Sequence, residues 1–161
     1  MITMRQLTFL FLTLLCTGSC KPEPTPEEEI QKVLSVINAN IGWAKNKDTT
    51  LSYGTMVRTG ELLIIQPDSD GITRGFENFK KMSEKVFLRP EFQAVRYELK
   101  NPQVYLSESR TCAWFFTHLD DINTMKGLDF SWRNIRWTGV LEKREGQWKI
   151  VQMHFSFPLN Y

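Results

Sequence analysis

Residues 133–157 form two alternating apolar–polar runs joined by Arg144-Glu145-Gly146. No other stretch limits the possible folds as tightly. A three-residue loop with Gly146 in the left-handed position makes this a β-hairpin, pairing Lys143 with Gln147. Position 140 then faces 150, 138 faces 152, 136 faces 154 and 134 faces 156. Because side chains alternate along a strand, one face collects Asn134, Arg136, Thr138, Gln152, His154 and Ser156. The other collects Ile135, Trp137, Leu141, Val151, Met153, Phe155 and Phe157. A one-residue slip would scramble the two sets, and the apolar set must be covered.

The cover is legible upstream. Thr25 at the N-cap, Pro26 at the first helical position and Glu28 three residues after the cap mark a helix start. Ile30, Val33, Leu34, Ile37, Ile41 and Ala44 then recur at three- and four-residue steps, predicting a helix near 26–46. Asp48 caps a short helix to Tyr53. Glu61 to Gln66 reads as a buried strand ending in the turn cluster Pro67-Asp68-Ser69-Asp70-Gly71. Gly75 precedes a second amphipathic helix carrying Phe76, Phe79, Met82, Val86 and Phe87. After Pro90, residues 92–100 alternate, with Val95, Tyr97 and Leu99 on one face. Val104 to Leu106, Thr111 to Asp120, Trp132 to Lys143 and Trp148 to Phe157 follow as strands. Helices first and an antiparallel meander after is the α+β order, with helices packed on one face of a curved sheet.

Cys112, Trp114, Phe116 and His118 alternate with Ala113, Phe115, Thr117 and Leu119, so this strand is largely apolar on both faces. It needs cover on both sides, and a second subunit is the simplest cover for the side without helices. The polar hairpin face has two readings. It lines a ligand site, with Arg136 and His154 as cation and titratable donor, or it lies on the outside of the sheet. The outer placement is favoured.

The first residues have a different character. Arg5, the apolar run Leu7 to Leu15 and the small residues before Cys20 have the features of a secretion signal over residues 1–19, and the run is short of the roughly 20 residues that a spanning helix needs. Gly18-Ser19-Cys20 resembles a bacterial lipoprotein signal, making Cys20 the expected lipidation site and membrane anchor, on an exported protein of the cell envelope. A plain signal peptide is the alternative. Residues 20–26, rich in proline, read as a tether, and residues 27–161 as one domain. Beyond residue 19 the chain carries 19 basic against 18 acidic residues, which argues against nucleic acid as the main partner. Cys112 is the remaining thiol, read as core; no disulfide framework is expected.

Candidate chemistry is sparse. His118 and Asp120 have the spacing of an acid–base couple, and two residues are too few for a metal site; no metal or cofactor is expected. Asp120 and Asp121 at a strand end, and Asp68 and Asp70 in a turn, are the acids a pocket would draw on. Tyr97 is read as core with its hydroxyl at the rim. Trp43, Trp114, Trp132, Trp137 and Trp148 suit an apolar ligand or a core. Asp121 to Ser131, with Gly127, reads as a loose connection: a lid over Trp132 and His118, or an ordinary surface loop.

Arg136-Trp137-Thr138-Gly139-Val140-Leu141-Glu142-Lys143, Gly146, Trp148-Lys149-Ile150-Val151 and His154-Phe155-Ser156 resemble the closing strands of SnoaL-like domains in the nuclear transport factor 2 (NTF2-like) superfamily. Ala113-Trp114 and Gly75 match the same pattern. The resemblance implies a cone-shaped α+β barrel, a curved antiparallel sheet wrapped round a long N-terminal helix, usually dimeric, with an apolar pocket between sheet and helices. That superfamily includes ketosteroid isomerases, polyketide cyclases, dehydratases, kinase association domains and pure binders. The expected function is a tethered homodimer holding a small apolar or weakly acidic molecule, with Tyr97, Trp114, His118, Trp132, Arg136 and His154 as candidate contacts. An enzyme using His118 or Asp120, and a dimerisation module without a ligand, are the alternatives.

Overall fold

A computed structural model describes residues 23–158 apart from position 69. The expected signal and Cys20 lie outside the described residues. Among those that are described, no helix is long and apolar enough to cross a membrane.

Helix α1 (Pro26–Gly42) starts as its sequence dictates. The Thr25 hydroxyl accepts from the Glu28 amide, and the Glu28 carboxylate accepts from the Thr25 amide. A 3-10 turn, Trp43–Lys45, continues it. The short helix α2 (Thr49–Gly54) is capped by Asp48, which accepts from the Leu51 amide. Strands β1 (Leu63–Ile65) and β2 (Ile72–Arg74) precede α3 (Phe76–Lys85). Then come β3 (Phe92–Leu106), β4 (Cys112–Met125), the two-residue β5 (Leu128–Asp129), β6 (Trp132–Arg144) and β7 (Gln147–Ser156). The sheet runs β2-β1-β7-β6-β4-β3, with β5 on β4. All pairings are antiparallel except β1 with β7, which is parallel because β1 arrives from the helical half of the chain instead of through a hairpin.

The sheet curls because four extra residues are built into it, and a bulge bends and twists its strand. β3 carries two, at Val95 and at Asn101-Pro102. β6 carries one at Asn134, where the backbone is left-handed, and β7 one at Val151. These overturn parts of the sequence-based register. Glu145 and Gly146, both with positive φ, make a two-residue turn that pairs Arg144 with Gln147, the type whose twist matches the strands. Leu141 then faces Ile150, and beyond the Val151 bulge Thr138 faces His154 and Arg136 faces Ser156. Val151, the bulged residue, stays partly buried against the core, and Trp148 and Ile150 join the apolar face. Val95 turns outward and is exposed, whereas Tyr97 and Leu99 pack on the core. The expected loose connection after Asp121 is a tight hairpin: β4 runs on to Met125 and turns at Lys126-Gly127 into β5.

The core lies between the inner face of the sheet and the helices, with Val33 and Ile37 of α1 meeting Ile135, Trp137 and Leu141 of β6. Gly139 sits where the Phe115 ring crosses β6. A Cβ there would fall 2.5 Å from that ring and 2.7 Å from the Gln152 carbonyl oxygen, so no larger residue fits.

At the start of α1 the buried face holds a charge. Glu29, 2 % exposed, accepts hydrogen bonds from Trp148 Nε1 (2.6 Å), Lys143 Nζ (2.7 Å) and Lys32 Nζ (2.8 Å). Lys143 also sits over the Trp148 ring. Burial pushes the Glu29 carboxyl up, but the bonds from Lys143, Lys32 and Trp148 outweigh it and hold the group at about 2 against an ordinary 4.5. Just upstream of the helix, the Pro24 carbonyl accepts from Arg110 of the β3–β4 connection (3.0 Å), which fixes the entry of the chain to the domain.

A depressed carboxylate stabilises the fold above its unfolded value and ceases to as pH falls through its folded one. Glu29→Gln should therefore cost about 2–3 kcal/mol at pH 7, a deficit that shrinks as pH drops from 4.5 toward 2. Urea unfolding at several pH values measures it, and a variant as stable as wild type at pH 7 would show that Glu29 clamps nothing.

Candidate ligand-binding site

Odd-numbered residues of β4 point inward: Ala113, Phe115, Thr117 and Leu119 are all buried. The alternation continues through Asp121 and Asn123, which puts a carboxyl and an amide on the inner face beyond the core. There the end of α1, α3 and the sheet diverge around a cavity of about 70 Å³. An adjoining lobe of about 150 Å³ shares Gln66, Met82, Phe87, Asp121 and Trp132 with it.

The walls are aromatic. Trp43, Phe87, Phe92 and Phe130 form a chain of edge-to-face contacts, with ring centroids 5.8, 5.2 and 6.3 Å apart. Trp132 lies against Phe155 at 5.4 Å. Asp121 is the one ionisable group among the lining residues of either lobe. Burial raises its carboxyl to about 6 from an ordinary 3.8, with the Asn123 side chain offsetting part of the rise. Asn123 is itself 4 % exposed, and its Oδ1 has no hydrogen-bond partner. Asn40 also lines the cleft, but its amide donates to Thr55 Oγ1 (2.9 Å).

Of the six candidate ligand contacts, Trp132 lies in the pocket, beside Trp43 and Asp121, which the sequence also offered. It does so because of the extra residue at Asn134. Unbroken alternation from Arg136 would have turned Trp132 outward, whereas the bulge pairs it with Asp121 on the inner face. Tyr97 also faces inward, opposite Asp121, but its hydroxyl donates to Asn38 Oδ1 (3.0 Å) and packs against Gly42.

The remaining candidates lie together on the outer face of the sheet, away from the cleft. Trp114 stacks on Tyr105 at 5.9 Å, and His118 meets the Phe116 edge at 5.1 Å. Arg136 donates to the Phe157 carbonyl (2.8 Å), and His154 sits opposite Thr138. Asp120 pairs with Lys100 at 2.7 Å and accepts from the Asn134 amide at 2.7 Å. The Lys100 bond first, then the Asn134 amide, hold its carboxyl below the usual range, leaving it a committed carboxylate. Cys112, read as core, is on this outer face and half-buried. No trio of metal-ligating side chains occurs among the described residues.

Asp121 was among the acids that the sequence offered, but Asp120 was preferred, and Asn123 was not identified at all. Alternation held the signal: extending the strand past Asp120 aligns 121 and 123 with the buried odd positions.

Comparison with known proteins follows this geometry. The model of the SnoaL-like domain matches residues 33–160. No curated protein matches in sequence. An NTF2-like protein of unknown function from Pseudomonas putida superposes with a TM-score of 0.63 at 13 % identity, over 81 % of this chain and 87 % of that one. The association domain of C. elegans CaMKII gives 0.60 at 17 % identity, over 81 % and 97 %. A candidate ketosteroid isomerase from Parabacteroides distasonis gives 0.54 at 19 % identity, over 84 % and 89 %. At such identities the structures share a fold and nothing finer. With the family model spanning most of the sequence and the curled sheet on its helix agreeing with it, the chain belongs to the SnoaL-like domain family of the NTF2-like superfamily.

Proposed function

We propose that this domain binds a small, largely apolar molecule in the cleft at Asp121, and that lipidated Cys20 tethers it to a membrane of the cell envelope. The observation that carries the binding role is the aromatic-walled cleft holding one buried carboxyl. Pockets that bind small molecules are mostly apolar, with few polar groups to fix orientation. A weakly acidic ligand is poorly supported, because among the described residues no basic side chain lines either lobe.

Acid–base catalysis would draw on the same carboxyl, whose value of about 6 suits proton transfer near neutrality. Chemistry of the ketosteroid-isomerase kind also needs a donor for the developing oxyanion. Here the lining residues supply neutral amides, and that of Asn40 is already engaged. Binding is the better-supported function.

Assembly is supported by a separate observation. Tyr105 and Trp114 stack while 49 % and 47 % exposed, on the outer face that also carries Phe116 and Val140. A second copy would cover them, and a neighbour of the same fold is named an association domain.

Thermal melts test the binding role. Some compound in a panel of apolar molecules should raise the Tm, with a smaller rise in Trp132→Ala; no shift from any compound would sink it. Turnover of a ketosteroid, abolished in Asp121→Asn, would put catalysis first. The same melts read the carboxyl: an elevated acid costs stability above its folded value and nothing below its unfolded one. Asp121→Asn should thus stabilise the protein by about 1–3 kcal/mol at pH 8 and leave it unchanged near pH 3.5. Light scattering should give the mass of two copies, falling to one in Trp114→Arg; a monomeric wild type overturns the dimer. For the anchor, labelled palmitate should enter the membrane-bound protein but not Cys20→Ser, and equal labelling of both would refute lipidation at that residue.

A further inference from the structure

The polar atoms of the cleft are not balanced between donors and acceptors. Asp121 is a carboxyl enclosed by apolar walls, and two residues along the same strand face Asn123 presents a buried oxygen without a partner. Among the described residues, lysine, arginine and histidine are absent from the lining of both lobes, so none of these neutralises the carboxylate.

The rings complete the pattern. Phe87, Phe130 and Trp132 line the same lobe as Asp121 and Asn123. Aromatic faces carry negative potential and attract a desolvated cation. Acceptor atoms plus π-faces, with no protein cation, form an environment that stabilises positive charge on an apolar body.

We propose that the occupant of this cleft is an organic amine, its ammonium group bonded to Asp121 and its hydrocarbon part lying along the aromatic walls. The inference rests on the binding role assigned to the cleft and narrows it to one chemical class. An ammonium needs the ionised carboxylate, so affinity should rise with pH until Asp121 is fully charged. The groups that face Asp121 from α1, α3, β6 and β7 are amide, aliphatic or aromatic. β3 contributes Tyr97, whose hydroxyl is bonded to Asn38. Asp121 is thus the group whose titration sets the profile.

Calorimetric titration of the full-length protein with 2-phenylethylamine, 2-phenylethanol and phenylacetate separates the possibilities, since the three differ mainly in charge. At pH 8 the amine should bind at least tenfold more tightly than the other two. Its affinity should fall about tenfold at pH 5, while that of the alcohol stays level. Asp121→Asn should lose the preference for the amine over the alcohol, with an unchanged circular dichroism spectrum as the check that the variant is folded. Binding of the alcohol or the carboxylate as tightly as the amine, or an amine affinity indifferent to pH in the wild type, overturns the assignment while leaving a pocket for neutral molecules. Failure of all three probes to bind overturns the cleft as a binding site and this inference with it.

Discussion

Three strands of 15, 14 and 13 residues must wrap one helix, and a regular sheet of that length is too flat to do it. The extra residues at Val95, Asn101-Pro102, Asn134 and Val151 supply the bend, and the rest of the structure depends on them. They close the inner face on α1, and each one also changes which side chains point inward beyond it. Without the Asn134 insertion Trp132 would stand on the outside, and the cleft would lose a wall. Fold and site are in this sense one problem.

Glu29 answers the problem from the helix side. The buried face of α1 runs Glu29, Val33, Ile37, Asn40, so its two ends are polar. The first is bonded across to β6 and β7, the second to Thr55 at the cleft. Apolar packing holds the middle of the helix, while directional bonds fix its rotation about its own axis. That rotation decides whether Ile41 and Trp43 face the cleft or the solvent.

The sequence disclosed the elements better than the register. Capping by Thr25 and Asp48, the apolar stripe of α1 and the switch from helices to strands are local patterns, and they emerged where expected. The bulges did not, because an extra residue leaves no compositional mark: Val151 and Val95 are good strand formers whose place as extra residues is imposed by neighbouring strands. The turn at Glu145-Gly146 was a choice between two loop lengths that one glycine could not decide. Glu29 looked like an ordinary acid of a first helical turn, since Lys143 and Trp148, which bury it, lie more than a hundred residues away. Asp121 was obscured by ending β4 at Asp120; a strand's last residues are set by what it pairs with, here β3 and β5.

Arg110 holds Pro24 beside the entry of α1, whereas Asn40 and Trp43 open onto the cleft at that helix's far end. With 17 residues between, the two poles of the domain stand about 25 Å apart. The chain therefore enters the domain at one end of α1 and the cleft is built at the other, so a change at the entry reaches the pocket only through the body of that helix.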